Sequence, residues 1–179
     1  MPIRFLAGIS AFQIIATLLC TAQCSHNVNG NSAVRKGSIV GHLQIPRLHM
    51  SVVVLEGSDQ SVLAVAAGHI SGTSLPGPSG NMGIAAHRDT FFGSLREIRP
   101  NDIINVQTVD GNFSYAVNGT EVVAPTNIGV LHQTTDAQLT LVTCYPFRYK
   151  GPSPKRFIVH ATRITDLAST PSSVAPAGP

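Results

Sequence analysis

Residues 139–144 read Leu-Thr-Leu-Val-Thr-Cys, a run of six residues that ends shortly before Pro146. Side chains alternate between the two faces of a β-strand, so Leu139 and Leu141 share one face while Cys144 lies on the other. We interpret the leucine face as the core face of a sheet. The pattern therefore predicts a strand over these residues that carries a cysteine outside the core, near one end.

A second strand with the same logic is predicted over Arg156–Ala161. Phe157 and Val159 form its apolar core face, so Arg156 points to the opposite face. The two strands thus each direct a chemically capable side chain, Cys144 or Arg156, away from the core near a strand end.

Short apolar runs bounded by Gly, Pro, Asn or Asp recur along the rest of the chain, and this punctuation is typical of strands. The further strands predicted in this way are Ile39–Ile45, Val52–Leu55, Met82–Ala86, Asp102–Thr108, Asn112–Val117 and Glu121–Ala124. Asp110-Gly111, between two of them, is a hairpin signal. Eight short strands at close spacing predict an all-β domain, either a closed barrel or a sandwich.

Helices play a minor part in this prediction. One short helix fits Asp59–Ala67, with Asp59 as its N-cap and Gly68 as its stop. A second helical turn fits Phe92–Ile98, just before Pro100.

Composition excludes several classes of protein. Of the 179 residues, 43% are hydrophobic and only 12% are charged, so the chain can bury a core. The net charge is +3, and the basic residues are scattered without a basic stripe, so we expect no nucleic-acid partner. With 16 Gly, 12 Pro and no Trp, the chain is turn-rich, and a coiled coil or a helical repeat is excluded.

The N-terminus carries the signature of an exported protein, because Arg4 precedes an uncharged apolar run over Phe5–Ala22. Its length lies between a signal peptide and a spanning helix, so cleavage after Ala22 and retention as a membrane anchor both remain open. We divide the chain into a signal peptide or anchor at residues 1–24, a polar linker at 25–36, a folded body at 37–165 and a disordered Pro/Ala/Ser tail at 166–179.

Cys144 is the only cysteine of the body, since Cys20 and Cys24 belong to the N-terminal segment, and a disulfide framework is therefore excluded. Such a lone cysteine is either a small buried hydrophobe or a nucleophile. Its position outside the leucine face favours the nucleophile. A free thiol with a pKa near 8.5 is only a few per cent thiolate at pH 7, so a nucleophile also needs a proton partner.

His87 and Arg156 are the candidates for the remaining chemistry. Among the seven histidines, His87 stands out because it closes the glycine-bounded run Gly83–His87 at a strand end, although a capping role is the competing interpretation. Arg156 alone would be a solvated strand-end charge. Beside a thiol, its guanidinium would be a fixed donor to a carbonyl or oxyanion, because it keeps its proton near neutral pH.

These residues fall within motifs of a known family. Thr140-Leu141-Val142-Thr143-Cys144 resembles the TLxTC signature of sortases, the cysteine transpeptidases of bacterial cell surfaces. Two further segments resemble, in order, the stretch that ends in the sortase catalytic histidine and the last strand with its catalytic arginine: Gly72–Gly77 with Gly80–Arg88, and Lys155–Val159.

The resemblance is strongest to class D sortases, through Cys144–Phe147 and Gly151–Arg156, and it covers about Gly37–Arg163. It implies an eight-stranded closed β-barrel with one or two short helices. It also implies that Cys144 is the nucleophile, His87 the proton donor and acceptor, and Arg156 the stabiliser of the substrate carbonyl and oxyanion.

The same resemblance implies a reaction and partners. A sortase cleaves a C-terminal sorting motif of the LPxTG type after Thr, forms a thioester, and transfers the acyl group to an amine. The expected partners are proteins that bear such a motif and an acceptor, which is a cell-wall precursor, a pilin lysine or water. No cofactor is expected. Some sortases bind calcium through loop carboxylates, but acidic residues are sparse here, so we predict no metal.

Three alternatives compete with this interpretation. The L,D-transpeptidases place glycine and histidine directly beside their cysteine, unlike Val142-Thr143-Cys144. Papain-like peptidases place the histidine after the cysteine, whereas His87 precedes Cys144. A catalytically silent β-barrel that binds peptides at the cell surface remains the alternative from another functional class.

Overall fold

The computed structural model describes residues 34–77, 79–149 and 151–164. The predicted signal or anchor, most of the linker, and the tail lie outside these residues. Within the described ranges, no helix is both long and apolar enough to cross a membrane. The strands are β1 (Ile39–Ile45), β2 (Met50–Glu56), β3 (Ala67–His69), β4 (Gly80–Ala85), β5 (Ile103–Thr108), β6 (Gly111–Val123), β7 (Ala137–Tyr145) and β8 (Lys155–Arg163).

The eight strands close into one barrel in the order β1-β2-β3-β4-β7-β8-β6-β5. The β2–β3 and β4–β7 pairs are parallel, and the other six pairs are antiparallel. The predicted all-β closed barrel is therefore confirmed. The β5–β6 hairpin is also confirmed, with Thr108 paired to Gly111 across its turn.

The two strands predicted over Asn112–Val117 and Glu121–Ala124 are one long strand, β6. The prediction left residues 118–120 between the two strands, but the pairing with β8 continues through them and only shifts register between Val117 and Gly119. A β-bulge accommodates one extra residue and lets the strand continue, which is the physical reason for the difference.

The helix predicted over Asp59–Ala67 is too long. Helix α1 covers only Gln60–Leu63, and the predicted cap is confirmed, since Asp59 accepts a hydrogen bond from the backbone N–H of Ser61. Strand β3 follows, paired with β2, and a three-residue strand is too short to show alternation. Gly68 is therefore not a helix stop. It lies where a Cβ atom would be 2.2 Å from the carbonyl oxygen of Gly57.

Three 3₁₀ helices complete the described part of the chain: Pro46–Leu48, Gly93–Glu97 and Ile128–Leu131. The second of them confirms the helical turn predicted over Phe92–Ile98. The third lies between β6 and β7 and covers the outer face of the sheet.

The barrel core is built from the alternating residues of the strands. Leu139, Leu141 and Val159 are completely buried, as predicted from their strand faces. Burying such a side chain contributes about 1.5–3 kcal/mol. Thr140 points to the opposite face but is also completely buried, because the loop that leads to β7 covers it. Its hydroxyl is satisfied there by donating a hydrogen bond to the Asn81 side chain (2.8 Å).

Candidate active site

The hydrogen-bonded register of β7 and β8 brings Cys144 directly opposite Arg156. Directly opposed residues of an antiparallel pair lie on the same face, with Cβ atoms about 4.5–5.5 Å apart. The sequence placed each of these residues on an outer face, and the structure adds that they share one position on the sheet.

His87 reaches the same place from β4, on the other side of β7. The two strands are parallel, with Ala85 opposite Val142, and beyond the strand the Ala86 N–H still donates to the Val142 carbonyl (3.2 Å). The buried Thr143 hydroxyl fixes this end further by donating to the Ala86 carbonyl (2.8 Å). His87 is the next residue, just as Cys144 is the next residue of β7.

Cys144 and His87 line one cavity of about 260 Å³. Its lining is formed by His87, Arg88, Asp89, Cys144, Gly151, Pro152 and Ser153. The cavity thus lies between the end of β4, the end of β7 and the segment that connects β7 to β8. Cys144 is half-buried, which leaves its sulfur accessible from this cavity.

The Arg156 side chain is held by the segment before β8. Its Nη1 donates to the carbonyls of Ser153 (3.3 Å) and Lys155 (3.1 Å). Both hydrogen bonds that Arg156 makes to described residues start at Nη1, so Nε and Nη2 are left to donate to another group. The backbone register therefore joins Arg156 to Cys144, while its guanidinium lies beside the connecting segment and not among the residues that line the cavity.

Arg88 is a site residue that our sequence reasoning did not select. It directly follows His87, and it is 8% exposed although it is charged. It donates to several groups of the segment between β7 and β8. Only its position beside His87 in a strand-end motif could have marked it, since its partners lie about sixty residues further along the chain.

A second cavity, of about 390 Å³, lies on the same face of the sheet, away from Cys144. It is polar, with Gln138, His160 and Glu121 among its lining residues, and His160 Nε2 lies 2.8 Å from the Glu121 carboxylate. The loop before β7 forms its edge, held by the Asn81 amide, which donates to the Val130 carbonyl (3.1 Å).

Four residues of β7 separate Cys144 from Thr140, which pairs with His160. At a rise of about 3.3 Å per residue, this separation is roughly 13 Å. Between the two ends, the outer face carries Val142 opposite Ile158. Ile158 is only 1% exposed, so the apolar surface between the thiol cavity and the polar cavity is offered by the half-buried Val142.

His69 belongs to a different region of the protein. It is buried, with Nδ1 2.5 Å from the Glu56 carboxylate, and Glu56 also accepts from the Ser71 hydroxyl (2.6 Å). This network connects β2, β3 and the loop that follows β3. It explains why His69 is inside the protein without placing it near Cys144.

In residues 34–77, 79–149 and 151–164, no three His, Cys, Asp or Glu side chains are grouped so that they could hold a metal ion. The absence of a metal remains a prediction.

The fold and the cavity together define a class of protein, a closed β-barrel in which a cysteine and a histidine meet at neighbouring strand ends. The model of the sortase domain matches residues 43–164. The chain belongs to the sortase family.

Particular relatives agree with this assignment. Sortase D of Bacillus subtilis is 32% identical over 130 residues, which cover 72% of this chain and 66% of that protein. A Clostridium perfringens sortase D5 transpeptidase superposes with a TM-score of 0.68 at 29% identity, covering 74% of this chain and 82% of that one. A Clostridium perfringens sortase C solved with the C-terminal cell wall sorting motif superposes with a TM-score of 0.67 at 25% identity, covering 74% of each chain. The chain spans just under two thirds of the length of the Bacillus subtilis relative.

Proposed function

We propose that this protein is a cysteine transpeptidase that cleaves an LPxTG-type sorting motif after Thr and transfers the acyl group to an amine. The observation that carries the proposal is the meeting of three strands: Cys144 pairs with Arg156, and the end of β4 brings His87 into the cavity that Cys144 lines. Thiol, imidazole and guanidinium are the groups that such an acyl transfer needs.

In the first step, Cys144 passes its thiol proton to His87, and its sulfur attacks the Thr carbonyl carbon. The bond between Thr and the next residue breaks, and His87 donates a proton to the leaving amine. Arg156 Nε or Nη2 donates to the carbonyl oxygen while negative charge develops on it. The product is a thioester between Cys144 and the substrate.

In the second step, an amine attacks the thioester carbon and His87 accepts its proton. The carbon–sulfur bond breaks, a new amide forms, and His87 passes the proton to the Cys144 sulfur, which restores the thiol. The acceptor is an amine of a cell-wall precursor or a pilin lysine, or water when the product is simply released.

The outer face also suits an extended peptide. The four residues from Leu to Thr of such a motif are about 13 Å long in extended form. The distance along β7 from Cys144 to Thr140 is similar, and His160, which pairs with Thr140, lines the polar cavity. The half-buried Val142 between them suits an apolar residue of the motif. We propose that the loop before β7 and the segment between β7 and β8 read the variable positions.

We further propose that the protein acts outside the cytoplasm, held at the membrane through its N-terminus. The support is the positive residue Arg4 followed by the uncharged run Phe5–Ala22. This location matches protein substrates that are themselves exported.

The test is turnover of labelled LPxTG- and LPxTA-type peptides by the full chain in detergent, with and without an added amine. Cys20 and Cys24 are replaced by serine in every protein, so that thiol alkylation reports only on Cys144. We expect cleavage, an amine-linked product, and a loss of at least about 10³-fold in Cys144→Ala.

His87→Gln should also abolish turnover, whereas His42→Gln, which changes a half-buried histidine of β1 that hydrogen-bonds Ser51, should not. If no peptide is cleaved and Cys144 does not react with an alkylating agent, the proposal fails and the silent peptide-binding barrel replaces it.

A further inference from the structure

Arg88 is a buried arginine whose main partners are neutral groups. Its side chain is 6% exposed, and its one ionic contact is with Asp89, which is 73% exposed (3.2 Å). A buried guanidinium is costly unless its donors are satisfied. The hydrogen bonds that satisfy this one therefore indicate what the residue does.

Apart from Asp89, the partners of Arg88 lie in the segment between β7 and β8. Its guanidinium donates to the backbone carbonyls of Pro146 (2.9 Å), Tyr149 (2.5 Å) and Gly151 (3.4 Å), and to the hydroxyl of Ser153. A planar fork with five donors can span several acceptors at once, which a lysine ammonium does less well. Arg88 thus holds both ends of the segment that forms one wall of the cavity.

The contacts continue from Arg88 to Arg156. Ser153 receives a hydrogen bond from Arg88 on its side chain, and its backbone carbonyl accepts one from Arg156 Nη1 (3.3 Å). Ser153 is therefore hydrogen-bonded to both Arg88 and Arg156. These two hydrogen bonds join the end of β4 to the start of β8.

We propose that Arg88 is a positioning residue for the transpeptidation proposed above, and that it acts through Ser153 on the guanidinium of Arg156. The proposal rests on that function. Arg88 binds the segment while His87, its neighbour in the chain, lines the same cavity, so one strand end sets the position of both the imidazole and the wall. Without Arg88, the Ser153 carbonyl, which is one of the two that accept from Arg156 Nη1, is no longer held in place.

The expected effect follows from geometry. A shift of about 1 Å in a group that stabilises a transition state can reduce the rate about 100-fold. We therefore expect Arg88→Met to lower kcat/KM for the motif peptide about 100-fold, mainly through kcat. Arg88→Lys keeps the charge but not the fork, so we expect it to recover little. Arg96→Met, at an arginine whose side chain is 54% exposed, is the matched control and should retain full activity.

A double-mutant cycle separates positioning from a general structural role. We would measure single-turnover acylation in the full chain for Arg88→Met, Arg156→Lys and the double variant. If Arg88 acts through Arg156, its replacement in the Arg156→Lys background should cost at most about threefold. An effect that stays 100-fold in that background, or that follows the loss of folded protein in thermal unfolding, would overturn the proposal.

Tryptic cleavage after Arg148 provides a readout that does not depend on turnover. Arg148 is exposed in the held segment, and we expect Arg88→Met to speed its cleavage whereas Arg96→Met does not. If the wild type cleaves no motif peptide, the proposed function fails and the positioning role in transpeptidation fails with it. Faster tryptic cleavage of Arg88→Met would then still show that Arg88 holds the segment between β7 and β8. If the wild type is active and Arg88→Met leaves tryptic cleavage unchanged, the Arg88 proposal is overturned and the proposed function is not.

Discussion

Arg47 and Arg88 both hold a loop against the barrel, but the burial of their partners is reversed. Arg47 is 39% exposed and binds the carboxylate of Asp102, which is 6% exposed. Arg88 is itself 6% exposed, and its main acceptors are carbonyls of a surface segment. In the first region the buried charge is the acid, and in the second it is the arginine.

This difference determines which groups are left without a partner when each contact is broken. The Asp102 side chain is only 6% exposed, so its charge depends mainly on Arg47 and on the backbone N–H of Arg99 (2.7 Å). The acceptors of Arg88 can turn toward solvent when it is removed, because Tyr149 and Gly151 are exposed. We infer that the Arg47 contact stabilises the fold, whereas the Arg88 contact stabilises one arrangement of the site.

The largest effect in this comparison is expected from Asp102→Asn. The amide keeps the shape of the carboxylate but loses its charge, and hydrogen bonds to charged groups contribute about 1.5–3 kcal/mol. We expect the free energy of unfolding in urea to fall by about 2 kcal/mol, while kcat/KM per folded molecule stays within about twofold of the wild type.

Asp110→Asn, at an exposed acid of the β5–β6 hairpin, is the matched control and should change neither quantity. The comparison breaks if Asp102→Asn loses activity at unchanged stability, because the two arginines would then serve the same purpose.

The sequence was sufficient for the faces of β7 and β8. Leu139, Leu141 and Val159 are completely buried, and Cys144 and Arg156 lie on the other face, because a period of two fixes which side chains share a face. That Cys144 and Arg156 are directly opposite each other follows from the register of the two strands, which the sequence did not show. Local patterns also identified the cap of α1 at Asp59. These features depend on neighbours in the chain, and a single sequence contains them.

What could not be predicted depends on distant residues. Strand β3 exists because it pairs with β2, and β6 stays continuous because β8 pairs with it on both sides of the bulge. The eight predicted strands matched the eight observed only because one missed strand and one divided strand offset each other. Arg88 was missed for the same reason, since its partners follow it by 58 to 65 positions.

A smaller effect on stability is expected when the pH is lowered. Arg47 and the Arg99 N–H hold the pKa of Asp102 below its ordinary value. An unfolded aspartate takes up its proton near pH 3.9, so the contribution of Asp102 to stability is complete above that pH and is lost as the pH falls through the lower folded value. The carbonyls and the hydroxyl that accept hydrogen bonds from Arg88 do not titrate, so we expect this pH dependence from the Arg47 contact.

We therefore expect the stability difference between the wild type and Asp102→Asn to shrink between pH 5 and about pH 2. Urea midpoints at several pH values measure it, and Asp110→Asn again provides the control. A difference that is constant over this range would mean that the carboxylate charge contributes nothing, and the contrast between the two arginines would have to rest on shape.

The smallest effect concerns the ring of Tyr149, whose centroid lies 5.9 Å from Arg88 Cζ. A cation–π contact at an exposed site contributes about 0.5–1 kcal/mol, which corresponds to about a two- to fivefold change. If the ring helps to hold Arg88 against the segment, Tyr149→Leu should lower kcat/KM by about that factor, while Tyr149→Phe, which keeps the ring, should match the wild type. Thermal unfolding should be the same for both variants, because Tyr149 is 45% exposed and lies outside the core. Equal losses in the two variants would instead assign the effect to the hydroxyl, and then Arg88 would be held by its carbonyl and hydroxyl acceptors alone.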